Sequence, residues 1–180
     1  MLIYILVVIL ITIIFLFSSK SLSPIPYFPS QPVDIPLIVK ALSLKDNQTI
    51  IDLGAGDGIV IFKAAQQSFI LKLNTKFVAV EINPVLILVL HLRRLFHPNK
   101  DNITIIRDDI FKMNFNSLTR EPVNSLTFYL YISPWFLEKT IENCKLKIVN
   151  FNVVSYMYPI KSMKKEEKII QGKNNIFIYN

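Results

Sequence analysis

The chain has 180 residues, with 52% hydrophobic and 18% charged side chains and a formal net charge of +7. This length predicts one domain. The only cysteine, Cys144, excludes an intramolecular disulfide and a cysteine-ligated metal site. The positive charge would suit an anionic membrane surface or a nucleic acid. However, isoleucine, lysine, asparagine and phenylalanine are frequent throughout the chain. Because the positive charge follows from this general bias in composition, it does not indicate either partner.

The first 17 residues contain no charged side chain and are apolar except for Tyr4 and Thr12. As a helix they would extend about 25 Å, the short end of a bilayer crossing. No Lys or Arg precedes the run, which disfavours a cleaved secretory signal without excluding it. We therefore predict a transmembrane anchor over residues 1–19. The first basic residue, Lys20, follows this span and predicts a single-pass membrane protein with the following domain on the cytoplasmic side.

Residues 20–32 are rich in proline and predict an extended, stiff connector. Tyr27 and Phe28 interrupt it with aromatic rings, which we expect to pack on the domain because an exposed spacer has little use for them. A helix over residues 33–44 follows, with Pro36 in its first turn.

The remaining chain alternates between apolar strand patterns and helix patterns, which predicts a largely parallel sheet with helices on both faces. A terminal hairpin completes a seven-stranded, Rossmann-like α/β domain over residues 33–180. In such sheets, ligands bind beyond the carboxyl ends of the strands. The predicted strands cover residues 49–52, 76–81, 103–106, 124–132, part of 147–157, 167–171 and 176–179, and the helices between them cover 59–68, 84–96 and 134–143.

The segment 50–58 reads I-I-D-L-G-A-G-D-G and contains three of the four glycines of the chain. A strand, a tight glycine turn and a helix start are expected here. The spacing is not that of a dinucleotide-binding loop, because Ile59 occupies the position of its third glycine, and no Gly-Lys-Ser/Thr ending marks a P-loop. The pattern resembles motif I of class I S-adenosylmethionine (SAM) methyltransferases. The expected cofactor-binding residues of this segment are Asp52, Gly54, Gly56, Asp57 and Gly58.

Two more carboxylates follow predicted strands. Glu81 ends the second strand, where its two oxygens can accept hydrogen bonds from the two ribose hydroxyls of an adenosine ligand. Asp109 follows the third strand and can accept from the adenine amine, while the backbone N–H of Ile110 serves a ring nitrogen. Asp108 competes with Asp109 for this role, and the order Asp109, Ile110, Phe111 favours Asp109.

No metal site is predicted. His91 and His97 are six residues apart in a predicted helix and do not share a face.

The motifs in chain order resemble a narrower family: the membrane-anchored protein-lysine methyltransferases that act on the mitochondrial adenine nucleotide translocase and the ATP synthase c-subunit, with their prokaryotic relatives. The resemblance implies SAM as cofactor and a lysine of a membrane protein as acceptor. Two departures concern the acceptor: Ile59 replaces a basic residue, and residues 155–159 lack the family's arginine. The matching positions are Tyr27, Pro29 and Ser30, then Gly54, Gly56, Asp57 and Gly58, then Glu81, Asn83 and Pro84.

A lysine must lose its proton before it accepts a methyl group, and an apolar, aromatic pocket favours this loss. Tyr131, Ser133 and Trp135 follow the fourth strand and are expected to line such a pocket, with Tyr27 closing it from the connector. For Trp135 and for Tyr129 a place in the core is an equal alternative. The segment is not the Asn/Asp-Pro-Pro-Tyr/Phe motif of enzymes that methylate the amino groups of bases, which argues against a nucleic-acid substrate.

Two other functions stay open from the sequence. One is a methyltransferase for a small molecule of the membrane, such as a quinone or a lipid. The other is a non-catalytic subunit that keeps the SAM-binding fold and scaffolds a complex, although the intact loop and Glu81 disfavour it.

Overall fold

The computed structural model describes residues 1–18, 27–113, 125–145 and 151–180. Helices and strands alternate through most of these residues. The α-helices are α1 (Leu2–Ser18), α2 (Ile35–Ala41), α3 (Ile59–Ile70), α4 (Pro84–Leu95) and α5 (Pro134–Lys145). The strands are β1 (Gln48–Leu53), β2 (Lys76–Glu81), β3 (Ile103–Arg107), β4 (Ser125–Leu130), β5 (Asn152–Tyr156), β6 (Glu167–Gln171) and β7 (Asn175–Tyr179).

The seven strands form one sheet in the order β3-β2-β1-β4-β5-β7-β6. The first five strands are parallel to one another, whereas β7 is antiparallel to both β5 and β6. The strand order reverses between β1 and β4, and a crevice at the carboxyl ends of the strands is expected at such a reversal. The predicted Rossmann-like α/β sheet with a terminal hairpin is confirmed.

Alternate residues of β1 point into two apolar layers, because successive side chains of a strand face opposite sides of the sheet. Ile51 packs in the layer that contains Leu137 of α5. Ile50 packs in the layer that contains Ile38 of α2 and Ile61 of α3. Both β1 residues are fully buried, and the sheet therefore has helices on both faces.

The helix predicted over residues 33–44 begins later than expected. A 3₁₀ turn, Pro32–Asp34, precedes α2, and Asp34 stands at the helix start without capping it through its side chain. Its carboxylate is engaged elsewhere, which the sequence pattern around it does not reveal.

Asp34 ties the start of the domain to the terminal hairpin. Its carboxylate accepts hydrogen bonds from the backbone N–H groups of Lys173 (2.7 Å) and Asn174 (3.0 Å) and from the hydroxyl of Tyr156 (2.7 Å). Burial alone would raise the pKa of Asp34, but the hydrogen bonds from Tyr156 and the hairpin turn favour the carboxylate and lower it. This residue therefore holds three distant segments together.

The N-terminal helix does not fulfil the predicted membrane span. α1 has 17 residues, and a rise of about 1.5 Å per residue gives it about 25 Å, against about 30 Å for the hydrocarbon core of a bilayer. Within residues 1–18, 27–113, 125–145 and 151–180, no helix is long and apolar enough to cross a membrane. The prediction of a single-pass membrane protein with its domain on the cytoplasmic side is therefore wrong.

Parts of three other predictions lie outside the described residues. The connector predicted over residues 20–32 is described from Tyr27 onward, the strand predicted over 124–132 from residue 125, and the strand predicted within 147–157 from residue 151. The boundary between connector and domain after residue 32 stays a prediction.

Candidate functional site

A cavity opens at the carboxyl ends of β1, β2 and β4, beside the reversal of strand order. It contains about 760 Å³ of space, the open solvent at its mouth included. Among the described residues, Gly58, Asn83, Ser133 and Trp135 are the predicted site residues that do not line it. The predicted residues that do line it are Tyr27, Asp52, Gly54, Gly56, Asp57, Glu81, Asp109, Ile110 and Tyr131.

The glycine loop connects β1 to α3 through left-handed backbone that only glycine adopts without strain. Gly56 has φ +58°, and a Cβ there would lie 2.8 Å from a ring carbon of Tyr27. Gly58 has φ +76°, and a Cβ there would lie 2.5 Å from a methyl carbon of Leu90. The first of these glycines thus leaves room for the Tyr27 ring against the loop, whereas the second allows α4 to pack against the start of α3.

Glu81 fixes the shape of the loop. One carboxylate oxygen accepts the backbone N–H of Gly56 at 2.8 Å. The other accepts the backbone N–H groups of Ile82 (2.8 Å) and Asn83 (2.9 Å). The side chain is 7% exposed and lines the cavity, so that its oxygens face the region where a ribose is expected. Glu81 therefore combines a structural role with its predicted binding role.

Asp52 is a buried carboxyl group at the cavity floor. It is 3% exposed, and none of the described residues donates a hydrogen bond to its carboxyl group. Burial raises its pKa well above the ordinary value, and the negative charges of Glu81 and Asp57 raise it further. Three acidic groups close together favour a ligand that carries positive charge at this point.

Asp57 links the loop to two other segments. Its carboxylate accepts the backbone N–H of Ile59 at 3.2 Å and forms an ion pair with Arg93 of α4 at 2.8 Å. The Tyr27 ring lies on Gly56, the residue before Asp57. Burial and the negative charge of the neighbouring Asp57 raise the pKa of Tyr27 to about 12, so that the phenol stays protonated. From the sequence, the position of Arg93 near the end of α4 predicts only that it complements the helix dipole. Its distance along the chain from Asp57 does not indicate the ion pair between them.

The described part of the connector forms one wall of the cavity. Ser30 is buried, and its hydroxyl shares a 2.8 Å hydrogen bond with the hydroxyl of Tyr129 at the end of β4. Tyr27 lies on Gly56, at the glycine loop, whereas the sequence pattern placed it over the acceptor pocket. The expectation that the connector aromatics pack on the domain holds for Tyr27, while Phe28 lines the cavity and remains 65% exposed.

The end of β3 contributes both candidate acids. Asp108 and Asp109 line the cavity, and Ile110 is buried in its wall. Asp108 accepts the N–H of Asp109 at 2.7 Å, and Asp109 accepts the N–H of Phe111 at 2.9 Å. The choice of Asp109 as the adenine contact stays a prediction.

Asn83 is placed by the structure at the start of α4. Its side-chain oxygen accepts the N–H groups of Val85 (2.9 Å) and Leu86 (3.3 Å), which is an N-cap. This capping explains the residue type without a ligand, and a contact with the cofactor stays a prediction.

The acceptor end of the cavity is aromatic. Tyr131 packs edge-on against Tyr156 with ring centroids 4.9 Å apart, and its hydroxyl lies 3.7 Å from the sulfur of Met157. Met157 has a left-handed backbone at φ +73°, an uncommon conformation for a side-chain-bearing residue.

Ser133 accepts an N–H in the first turn of α5 through its backbone oxygen, and Trp135 is 81% exposed. Trp135 is thus not a core residue, whereas Tyr129 is buried.

The residues fit a SAM molecule. The buried Asp52 suits its positive charge, Gly54 and Gly56 of the loop line the cavity, and Glu81, also in the lining, is expected to offer oxygens to the ribose. Among the described residues, no group of three or more His, Cys, Asp or Glu side chains is arranged to hold a metal ion.

Comparisons with known proteins agree with this geometry. A sequence model of the family "Ribosomal RNA adenine dimethylase" matches residues 28–157. The ATP synthase c-subunit lysine N-methyltransferase of Caenorhabditis elegans is 23% identical over 164 residues, which are 86% of this chain and 80% of that protein. A probable ribosomal RNA small subunit methyltransferase A of Methanosphaera stadtmanae is 29% identical over 79 residues, which are 44% of this chain and 27% of that protein.

Among solved structures, an RNA methyltransferase of Salinibacter ruber in complex with S-adenosyl-L-homocysteine is similar with a TM-score of 0.66. The identity is 16%, and the match covers 84% of this chain and 92% of that chain. The fold and the cavity thus define a class I SAM-dependent methyltransferase. Because the family model spans most of the chain, the protein belongs to the ribosomal RNA adenine dimethylase family.

Proposed function

We propose that this protein transfers a methyl group from SAM to the side-chain amine of a lysine in a protein. The observation that carries the proposal is the aromatic lining of the cavity at Tyr131, whose ring packs against the buried Tyr156. The similarity to the Caenorhabditis elegans lysine methyltransferase, which extends over 86% of this chain, supports the same substrate class.

SAM supplies an electrophilic methyl group, which passes to the lysine nitrogen while the sulfur keeps the bonding electrons. The lysine has to arrive neutral, and its ammonium proton leaves to water before transfer. The aromatic walls around Tyr131 disfavour a charged amine through desolvation and so lower the pKa of the incoming lysine. The protein otherwise aligns the two reactants and excludes water.

Adenine methylation in ribosomal RNA is the second candidate, and the family model favours it. Two observations favour lysine over adenine. The segment after β4 reads Tyr131-Ile132-Ser133-Pro134-Trp135 and lacks the Asn/Asp-Pro-Pro-Tyr/Phe pattern that holds a base amine. The ribosomal RNA methyltransferase of Methanosphaera stadtmanae matches over only 27% of its own length.

A labelling experiment separates the candidates. The full chain is incubated with SAM carrying a radioactive methyl group and with extract of cells that lack the protein. The same reaction with the Glu81→Ala variant, which lacks the ribose-facing carboxylate, is the control. We expect label that protease releases and RNase does not, and methylated lysine in peptides analysed by mass spectrometry. Label in ribosomal RNA, or in an organic extract of lipids and quinones, would contradict the proposal.

A further inference from the structure

Arg93 forms an ion pair with the glycine loop from outside the cavity. It lies on α4, outside the cavity wall, and its guanidinium reaches Asp57 of the glycine loop at 2.8 Å. The next residue, Arg94, has the same charge and points elsewhere, donating to the backbone oxygen of Lys100 at 3.1 Å. The chain thus places two adjacent arginines on one helix, of which one is directed at the loop.

The contact continues into the connector. The Tyr27 ring covers the bare backbone of Gly56, the loop residue that precedes Asp57. We call the series Arg93, Asp57 and Tyr27 the clasp. It joins α4, the glycine loop and the connector, and it lies against the part of the cavity where the methionine end of SAM is expected.

We propose that Arg93 is a positioning residue, which holds Tyr27 over the glycine loop through Asp57 and thereby slows the release of SAM. In this proposal the guanidinium orients the Asp57 carboxylate, and this carboxylate receives the hydroxyl of Tyr27, whose ring lies on the adjoining Gly56. The tyrosine ring then forms a wall that SAM has to displace on leaving. This inference rests on the methyltransferase fold and holds for either acceptor, lysine or adenine.

The fold has other attachments for the connector, so that the clasp is not needed to keep it folded. Ser30 bonds to Tyr129, and Asp34 bonds to Tyr156 and to the hairpin turn. The Arg93–Asp57 pair is itself partly exposed, with side-chain exposures of 40% and 19%. Pairs of this kind contribute little to global stability. Its removal is therefore expected to change cofactor exchange far more than folding.

The first experiment compares Arg93→Gln with Arg94→Gln, because both remove one positive charge from the same helix. Radiolabelled SAM is bound to the full chain and chased with excess unlabelled SAM. We expect release to be about fivefold faster in Arg93→Gln, with little change in association. Release from Arg94→Gln and the melting temperatures of both cofactor-free variants should match the parent protein. Equal release rates in the two variants, or slower release from Arg93→Gln, would overturn the proposal.

The second experiment tests whether the effect passes through Tyr27. In the cofactor-free protein, hydrogen exchange of the amides in residues 54–58 should be faster in Arg93→Gln and restored in part by Arg93→Lys. In a Tyr27→Phe background, which lacks the hydroxyl, Arg93→Gln should change SAM release by less than about twofold. A full fivefold effect in that background would mean that Arg93 acts on the cofactor directly and would refute the clasp.

Discussion

The two ends of the cavity are built differently. At the cofactor end, Glu81 accepts three backbone N–H groups and Asp57 is held by Arg93 and by the backbone of Ile59. At the acceptor end, the Tyr131 hydroxyl is directed at the Met157 sulfur at 3.7 Å, which is a weak contact. The cofactor end is held by directional bonds, and the acceptor end by packed rings.

This difference indicates which part of the reaction the protein prepares in advance. A site held by several hydrogen bonds keeps its geometry before the ligand arrives and loses little entropy on binding. An aromatic wall is less directional and accepts an incoming side chain through shape and desolvation. Substitutions at the two ends should therefore separate cofactor binding from acceptor use.

The largest effect is expected at Glu81. Glu81→Ala leaves the N–H groups of Gly56, Ile82 and Asn83 without their acceptor and removes the carboxylate that faces the ribose. We expect SAM binding, measured by calorimetry, to weaken more than about a hundredfold, and the free energy of unfolding to fall by about 2–4 kcal/mol. Glu81→Gln keeps an acceptor oxygen, so its losses of SAM affinity and of unfolding free energy should be smaller. Unchanged calorimetric binding in Glu81→Ala would remove Glu81 from the cofactor site.

Much of the cofactor end could be predicted from the sequence, because it depends on local patterns. The glycine spacing, the acid that ends β2 and the terminal hairpin each occupy a few consecutive residues, and the structure places Gly54, Gly56 and Glu81 around one cavity. The strand pattern also predicted the bounds of β2 and β6 in full.

The remainder depends on contacts between segments that are far apart in the chain. Arg93 forms an ion pair with Asp57 of the loop, although α3, β2 and most of α4 separate the two residues in the chain. Tyr27 lies on Gly56, next to Asp57, and not at the end of the cavity where the acceptor is expected. The place of Asn83 after Glu81 suggests a ligand contact, but its side chain caps α4. Spacing along a sequence does not distinguish a capping residue from a binding residue when both follow a strand.

The second effect concerns Asp52 and depends on pH. Burial raises the pKa of this carboxyl above its value in the unfolded chain, about 3.9. Between these two pKa values the folded protein holds a proton that the unfolded chain has released, so stability falls as the pH rises. Because asparagine does not titrate, Asp52→Asn removes this loss of stability at higher pH. We expect the cofactor-free variant to melt at a higher temperature than the parent, with a larger difference at pH 8 than at pH 5.

The same substitution should weaken SAM binding by about tenfold, because Asp52 can give up its proton and become a charged acceptor when a positively charged ligand binds, whereas asparagine cannot. Asp46→Asn, at an exposed turn, is the matched control and should change neither property. If Asp52→Asn destabilised the cofactor-free protein at pH 8, the Asp52 carboxylate would stabilise the fold, and its assignment as a ligand-binding group would be contradicted.

The smallest effect on the cofactor is expected at Tyr131, and this prediction tests the comparison from its other end. Tyr131→Phe keeps the ring against Tyr156 and removes only the hydroxyl, whose contact with the Met157 sulfur is weak. SAM binding and melting temperature should stay within error of the parent, and methyl transfer to the protein acceptor should fall by less than about fivefold. Tyr131→Ala, which opens the aromatic wall, should lower transfer much further at unchanged SAM affinity. A loss of SAM affinity in Tyr131→Phe would show that the two ends share one bonding network, and the separation between a prearranged cofactor end and a packed acceptor end would then be wrong.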